Sequence, residues 1–112
     1  MIRVEAIIRE DSLTPVVERL LLLRIRGLSV LHVRGSARGD DYHAISRGSL
    51  YAVQFVSKLL IEWYGPDNEA DAVVRAIERF AATGVRGDGK IFVQAIEEAI
   101  RIRTGERGLA AV

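Results

Sequence analysis

The sequence predicts a small α+β domain, with two helices and four principal strands in the order β-α-β-loop-β-α-β. Three observations predict it. Several segments alternate apolar with other residues at the period of a strand. Two others place apolar residues at the helical period. The chain has 112 residues, enough for one domain with a real core and small for a complete enzyme. The order is that of the split βαβ, or ferredoxin-like, βαββαβ sandwich. Residues 1–112 read as a single domain, because no repeat, low-complexity tract or Pro/Gly/Ser linker divides them.

In the first strand, Ile2, Val4, Ala6 and Ile8 alternate with Arg3, Glu5 and Ile7. Thr14-Pro15 reads as an N-cap followed by proline at the first helical position. That helix continues through Val16, Val17, Leu20 and Leu23, and Gly27 can stop it. Residues 28–33 form a second strand, with Leu31 and Val33 on one face and His32 on the other. Residues 35–48 are rich in Gly, Ser, Asp and Arg, and too long for an ordinary connection, so the segment is either functional or disordered. A third strand covers 58–64, and Gly65-Pro66-Asp67 makes a turn and helix start. Ala70, Val73, Val74, Ile77 and Ala81 lie on one stripe of the second helix, which Thr83-Gly84 closes. A fourth strand is expected over 91–96 and a short fifth over 100–103. Two helices cover only one face of such a sheet. The other face would carry Ile7, Leu60, Tyr64, Phe92 and Ile96, too apolar to stay wet, so a homo-oligomer is expected.

Composition excludes several functions. Sixteen basic against fifteen acidic residues leave a net charge of +1, without the basic surplus of a general nucleic-acid binder. There is no cysteine, which removes disulfides, thiolate metal sites and Cys nucleophiles. His32 and His43 are far apart in sequence and there is no cysteine beside them, so no metal site or His-based triad is expected. The longest uncharged run, residues 48–57, is far shorter than the roughly 20 residues of a membrane span. The N-terminus has no apolar signal core. A cytoplasmic protein with no direct membrane insertion is therefore expected. Among the basic residues fourteen are Arg and two are Lys, Lys58 and Lys90. That bias marks both lysines as positions where a compact ammonium matters, unless it is only compositional.

Two segments look chemical. Thr83-Gly84-Val85-Arg86-Gly87-Asp88-Gly89-Lys90 lies between a helix and a strand. Its glycines can turn successive N–H groups inward as an anion nest, with Lys90 as the counter-charge; the spacing also suits an ordinary turn. It is not a Walker loop, because Lys90 opens a strand and is followed by Ile91. Arg101 and Arg103, two apart on an extended segment, would point to one side about 7 Å apart. Such a pair suits a di- or triphosphate, and equally a solvated edge.

These two segments, together with Val4-Glu5-Ala6-Ile7-Ile8-Arg9, Arg47-Gly48-x-x-Tyr51 and Lys58-x-x-Ile61-Glu62, closely resemble the PII signal-transduction (nitrogen regulatory protein P-II) family along the whole chain. The resemblance implies a homotrimer of ferredoxin-like subunits that binds ATP or ADP in the clefts between neighbours. By matching position, Gly87, Asp88, Gly89 and Lys90 would cradle the phosphates. Arg101 and Arg103 would reach them from the adjacent subunit, and Arg38 from the base of the long loop. Ile7, Gly35, Ser29 and Glu62 would line the adenine and ribose end. Residues 36–56 correspond to the family's T-loop, which changes conformation with the ligand and inserts into a target protein, a membrane transporter or a metabolic enzyme.

The sequence departs from the family where that loop begins. The usual Gly-Phe-Gly-Arg-Gln-Lys-Gly is here Gly35-Ser36-Ala37-Arg38-Gly39-Asp40-Asp41. In typical members that Gln helps ligate the Mg²⁺ that holds 2-oxoglutarate, and Gly39 has no side chain for this. Lys58, which pairs with the effector's carboxylate in the family, is retained. A divergent PII-like member with a weakened or lost 2-oxoglutarate response follows, sensing ATP, ADP or AMP with or without a small anion such as bicarbonate. The alternative is an ordinary nitrogen regulator of an ammonium channel or of glutamine-synthetase control. Tyr51 and Ser49 match positions modified in some members, or are simple loop residues. A slow nucleotide hydrolase would need a second acid or nucleophile beside Glu62, and an RNA binder would need stacked aromatics on the central strands. Neither is in evidence, so a regulator rather than an enzyme is expected.

Overall fold

The computed structural model describes residues 1–36 and 55–112. Its elements are β1 (Ile2–Ile8), α1 (Leu13–Leu22), β2 (Ser29–Gly35), β3 (Val56–Gly65), α2 (Asp67–Ala81) and β4 (Gly89–Ala95), with short 3-10 turns at Glu10–Ser12 and Gly108–Ala111. The strands form one sheet in the order β2-β3-β1-β4, and every neighbouring pair is antiparallel. Both helices lie against one face, so the ferredoxin-like arrangement expected from the element order is the one observed.

Alternation decides which residues meet the helices. Val4, Ala6 and Ile8 of β1 and Leu59, Ile61 and Trp63 of β3 are buried beneath Val16 and Leu20 of α1 and Val73, Ala76 and Ile77 of α2. Of the expected α2 stripe, Ala70, Val73, Ile77 and Ala81 are buried, and Val74 packs against the core from its margin. Gly65 belongs to this packing. A Cβ there would fall 2.1 Å from Cζ2 of Trp63, so the indole ring requires glycine two residues on.

Several boundaries differ from the sequence reading. Helix α1 begins at Leu13 after a 3-10 turn, and Ser12, not Thr14, stands at the N-cap. It ends before Gly27: the Leu23 and Arg24 amides bond back to the Leu20 and Leu21 carbonyls, and Arg24 takes the left-handed φ of 56° that closes the helix. The fourth strand covers Gly89–Ala95, which leaves Ile96 beyond its end, bonded through its amide to the Met1 carbonyl.

No fifth strand forms over residues 100–103. Ile100 makes one isolated bridge to Arg107, and between them the chain reverses in a tight turn. The Arg101 amide bonds the Glu106 carbonyl at 2.9 Å, and the Gly105 amide bonds the Arg101 carbonyl at 2.8 Å. Gly105, at a φ of 72°, supplies the reversal.

The sheet face away from the helices carries Ile7, Leu60, Tyr64 and Phe92, as expected, but it is not simply apolar. At its centre Arg3 pairs with both Glu5 and Glu62 and bonds the Gln94 side chain at 3.2 Å. Charges are therefore set among the apolar side chains of this face, with Tyr64 opposite Arg3 and Phe92 opposite Glu5.

Candidate functional site

Helix α2 and strand β4 are joined by the glycine-containing loop that was singled out from the sequence. Its organiser is Asp88. The carboxylate accepts hydrogen bonds from the Thr83 amide at 2.7 Å, the Gly84 amide at 3.0 Å and the Thr83 hydroxyl. The Thr83 hydroxyl oxygen in turn accepts from the Val85 amide at 3.2 Å. Arg9, just past β1, donates from Nε to Asp88 at 3.1 Å. These bonds, those of Thr83 foremost, hold the Asp88 carboxyl well below the usual carboxylate range, against the opposing effect of burial.

The loop is also held through its carbonyls. Arg9 Nη2 donates to the Arg86 carbonyl at 2.7 Å and to the Val85 carbonyl at 3.4 Å. Lys58 Nζ, from β3, donates to the Gly87 carbonyl. Gly89 then enters β4 at a φ of 106°, where a Cβ would fall 1.7 Å from the Ile7 carbonyl oxygen. No other residue fits that close approach. Beside it opens a groove of about 400 Å³, floored by Ile8, Val74, Ile77 and Ile91 and flanked by Glu78 and Lys90.

The register sorts the expected site residues into two groups. Ile7 stands opposite Lys90 and Leu60, Val33 opposite Lys58, and Gly35 opposite Val56. Ile7, Gly35, Lys58 and residues 87–90 therefore gather at the sheet end where the 83–88 loop sits. Ser29 and Glu62 face each other further along β2 and β3, with Glu62 held in the Arg3 cluster. Arg101 and Arg103 lie beyond the far end of β4, and Lys90 to Ala95 alone spans roughly 17 Å of strand. The two groups do not meet within one chain.

The arginine pair is not the parallel pair expected on an extended segment. Arg101 is tied to Glu106 at 2.8 Å, and Arg103 sits exposed on the turn. Between them Ile102 is fully exposed. Arg38, Gly39, Ser49 and Tyr51, with His43, lie outside the described residues. Among the described residues no group of His, Cys, Asp or Glu could hold a metal ion, and no helix is long and apolar enough to cross a membrane. Arg9 is the functional candidate that the sequence reading missed. A single arginine after a strand carries no signal, and its acceptor lies 79 residues away.

Known proteins are similar to this chain in both fold and sequence. The family model described as nitrogen regulatory protein P-II matches residues 1–106. Proteins named nitrogen regulatory protein P-II from Rhodobacter capsulatus and Nostoc punctiforme are 47% and 46% identical over 112 residues, covering the whole of both chains in each case. The crystal structure of Arabidopsis thaliana PII bound to citrate superposes with a TM-score of 0.79 at 38% identity, covering 99% of this chain and 91% of that one. With the sheet order, the loop after α2 and the full-length match in agreement, the chain belongs to the nitrogen regulatory protein P-II family, whose members are signal-transduction regulators and not enzymes.

Proposed function

We propose that this chain forms a homotrimer in the cytoplasm, binds ATP or ADP in the clefts between subunits, and controls a target transporter or metabolic enzyme through residues 36–56. The observation that carries the reading is the division of the site. One end of the sheet offers a pinned glycine loop with Lys90, and the other offers Arg101 and Arg103, so a second copy is needed to bring cations from both ends onto one polyphosphate. Gly87, Gly89 and Lys90 would hold the phosphates through backbone amides and an ammonium, while the Asp88 carboxylate is spent within the loop. Ile7 and Gly35 would line the base and ribose from one subunit, Ser29 and Glu62 from the next, and Arg38 would add a further cation. That a relative was solved with citrate, a small polyanion, is in keeping with an anion-binding cleft. No bond is made or broken: the nucleotide shifts the populations of a loop and with them the affinity for a partner.

The 2-oxoglutarate response is proposed to be weak or lost. Gly39 brings no side chain for Mg²⁺, and the Lys58 ammonium that would meet the effector's carboxylate is engaged by the Gly87 carbonyl. Calorimetric titration with ATP, ADP and AMP, each with and without Mg²⁺, 2-oxoglutarate and bicarbonate, tests both statements. ATP or ADP is expected to bind, and 2-oxoglutarate to add little in the presence of Mg-ATP. Lys90→Ala is expected to lose about 1–3 kcal/mol of nucleotide affinity, the scale of one charge-assisted bond. A Lys90→Ala protein that binds ATP as tightly as the wild type would overturn the site assignment.

A further inference from the structure

We propose that Arg9 is a positioning residue, whose guanidinium sets the polarity of the phosphate loop; the inference rests on the nucleotide reading above and deepens it. The geometry is that of a planar fork used in two directions. Nε is given to the Asp88 carboxylate, which itself ties down the Thr83 and Gly84 amides, and Nη2 is given to the Arg86 and Val85 carbonyls. Lys58 takes the next carbonyl, that of Gly87. Three successive carbonyls are therefore turned toward cations supplied by β3 and by the end of β1.

In a trans peptide the C=O and the following N–H point in opposite directions. With the Arg86 and Gly87 carbonyls turned to Arg9 and Lys58, the N–H groups of Gly87 and Asp88 are aimed away from those cations. Reversing either plane would present a carbonyl oxygen where a phosphate needs a donor. The loop has few other means of preventing this, because Gly84, Gly87 and Gly89 all have positive φ, where backbone rotation meets little side-chain resistance. Gly87 also keeps its neighbour close: a Cβ there would lie 3.1 Å from Arg9 Nη2. The Arg9–Asp88 pair is more than two-thirds shielded from solvent, so water competes weakly for it. Lysine cannot replace this fork, since one ammonium does not reach a carboxylate and a carbonyl with the same planar geometry.

A residue acting through the orientation of loop amides affects phosphates and not the base. Calorimetry with ATP, and with adenosine by competition, separates the two for wild type, Arg9→Lys and Arg9→Ala. Arg9→Ala is expected to weaken ATP roughly 10- to 100-fold and to leave adenosine unchanged, with Arg9→Lys between it and wild type. Hydrogen exchange in the ligand-free protein is expected to show faster exchange of the Thr83 and Gly84 amides in Arg9→Ala. ATP binding unchanged in Arg9→Ala, or adenosine weakened as much as ATP, overturns the role. If Arg9→Ala does not fold, Arg9→Lys decides: wild-type ATP affinity there also overturns it. If the wild type itself binds no ATP, the nucleotide reading fails and takes this role with it. If wild type binds and the variants match it, Arg9 alone is refuted.

Discussion

Asp88 shows how much a single side chain does in this protein. An aspartate within a glycine-rich, lysine-tipped loop is a poor phosphate ligand, because two anions repel, yet it is the residue that builds the loop. Its acceptors are filled by Thr83, Gly84 and Arg9, and its acidity is raised accordingly. The sign of the pH dependence follows. With the folded-state pKa below the ordinary 3.8, the carboxylate's contribution to stability is complete well above that value and is lost as pH falls through it toward the folded value. The Tm advantage of wild type over Asp88→Asn is expected to be constant above about pH 5 and to shrink as the pH falls further. Thermal unfolding from pH 7 down to about pH 2.5 reads it, and an advantage that stays constant throughout refutes the loop-building role. Lys90, Gly87 and Gly89 were legible as a possible anion nest because their chemistry is local. Arg9 was not, since nothing near position 9 announces an acceptor at position 88.

At the scale of elements, all four strands were legible as apolar-rich segments, although only β1 and β3 have a face buried within the chain and β2 and β4 bury none of their residues. The same signal failed at Ile100-Arg101-Ile102-Arg103, which alternates as a strand does but has already passed the end of β4. The alternation there reflects an exposed isoleucine between two arginines, and glycine at position 105 turns the segment back on itself. The end of α1 taught a related lesson. Gly27 carries the residue type that usually closes a helix, but the apolar stripe is exhausted at Leu20, and the chain closes at Arg24 in a conformation that costs a side-chain-bearing residue. Arg24 is exposed, so replacing it tests the backbone alone. Arg24→Gly is expected to stabilise the protein by about 0.5–1 kcal/mol, the left-handed penalty less the added freedom of the unfolded chain. Denaturant unfolding at fixed protein concentration measures it, and a loss of stability would show that Arg24 makes a contact beyond its φ angle.

For the whole molecule the proposed function turns on the distance between the Lys90 end of the sheet and the end carrying Arg101 and Arg103, which do not meet within one chain. The sequence implied shared clefts only through resemblance, because periodicity records which face of a strand is buried and not which end of a sheet a residue occupies. The ladder register supplies that: Lys90 stands opposite Ile7, while residues 101–103 follow the far end of β4. The proposed trimer then has a stoichiometric consequence. In a cyclic assembly every cleft takes its loop from one copy and its arginines from the next. Lys90→Ala damages the loop side of each cleft and Arg103→Ala the arginine side, so each variant alone loses tight ATP binding. Any trimer containing both variants has one junction where an intact loop meets an intact arginine. Co-expression in equal amounts is therefore expected to restore wild-type affinity in roughly a quarter of the clefts, since random mixing makes three trimers in four heteromeric with one repaired site each. Counting tight ATP sites by equilibrium dialysis reads the result. If a single copy furnished the whole site, mixing would restore none, and the division of the site between subunits would fall.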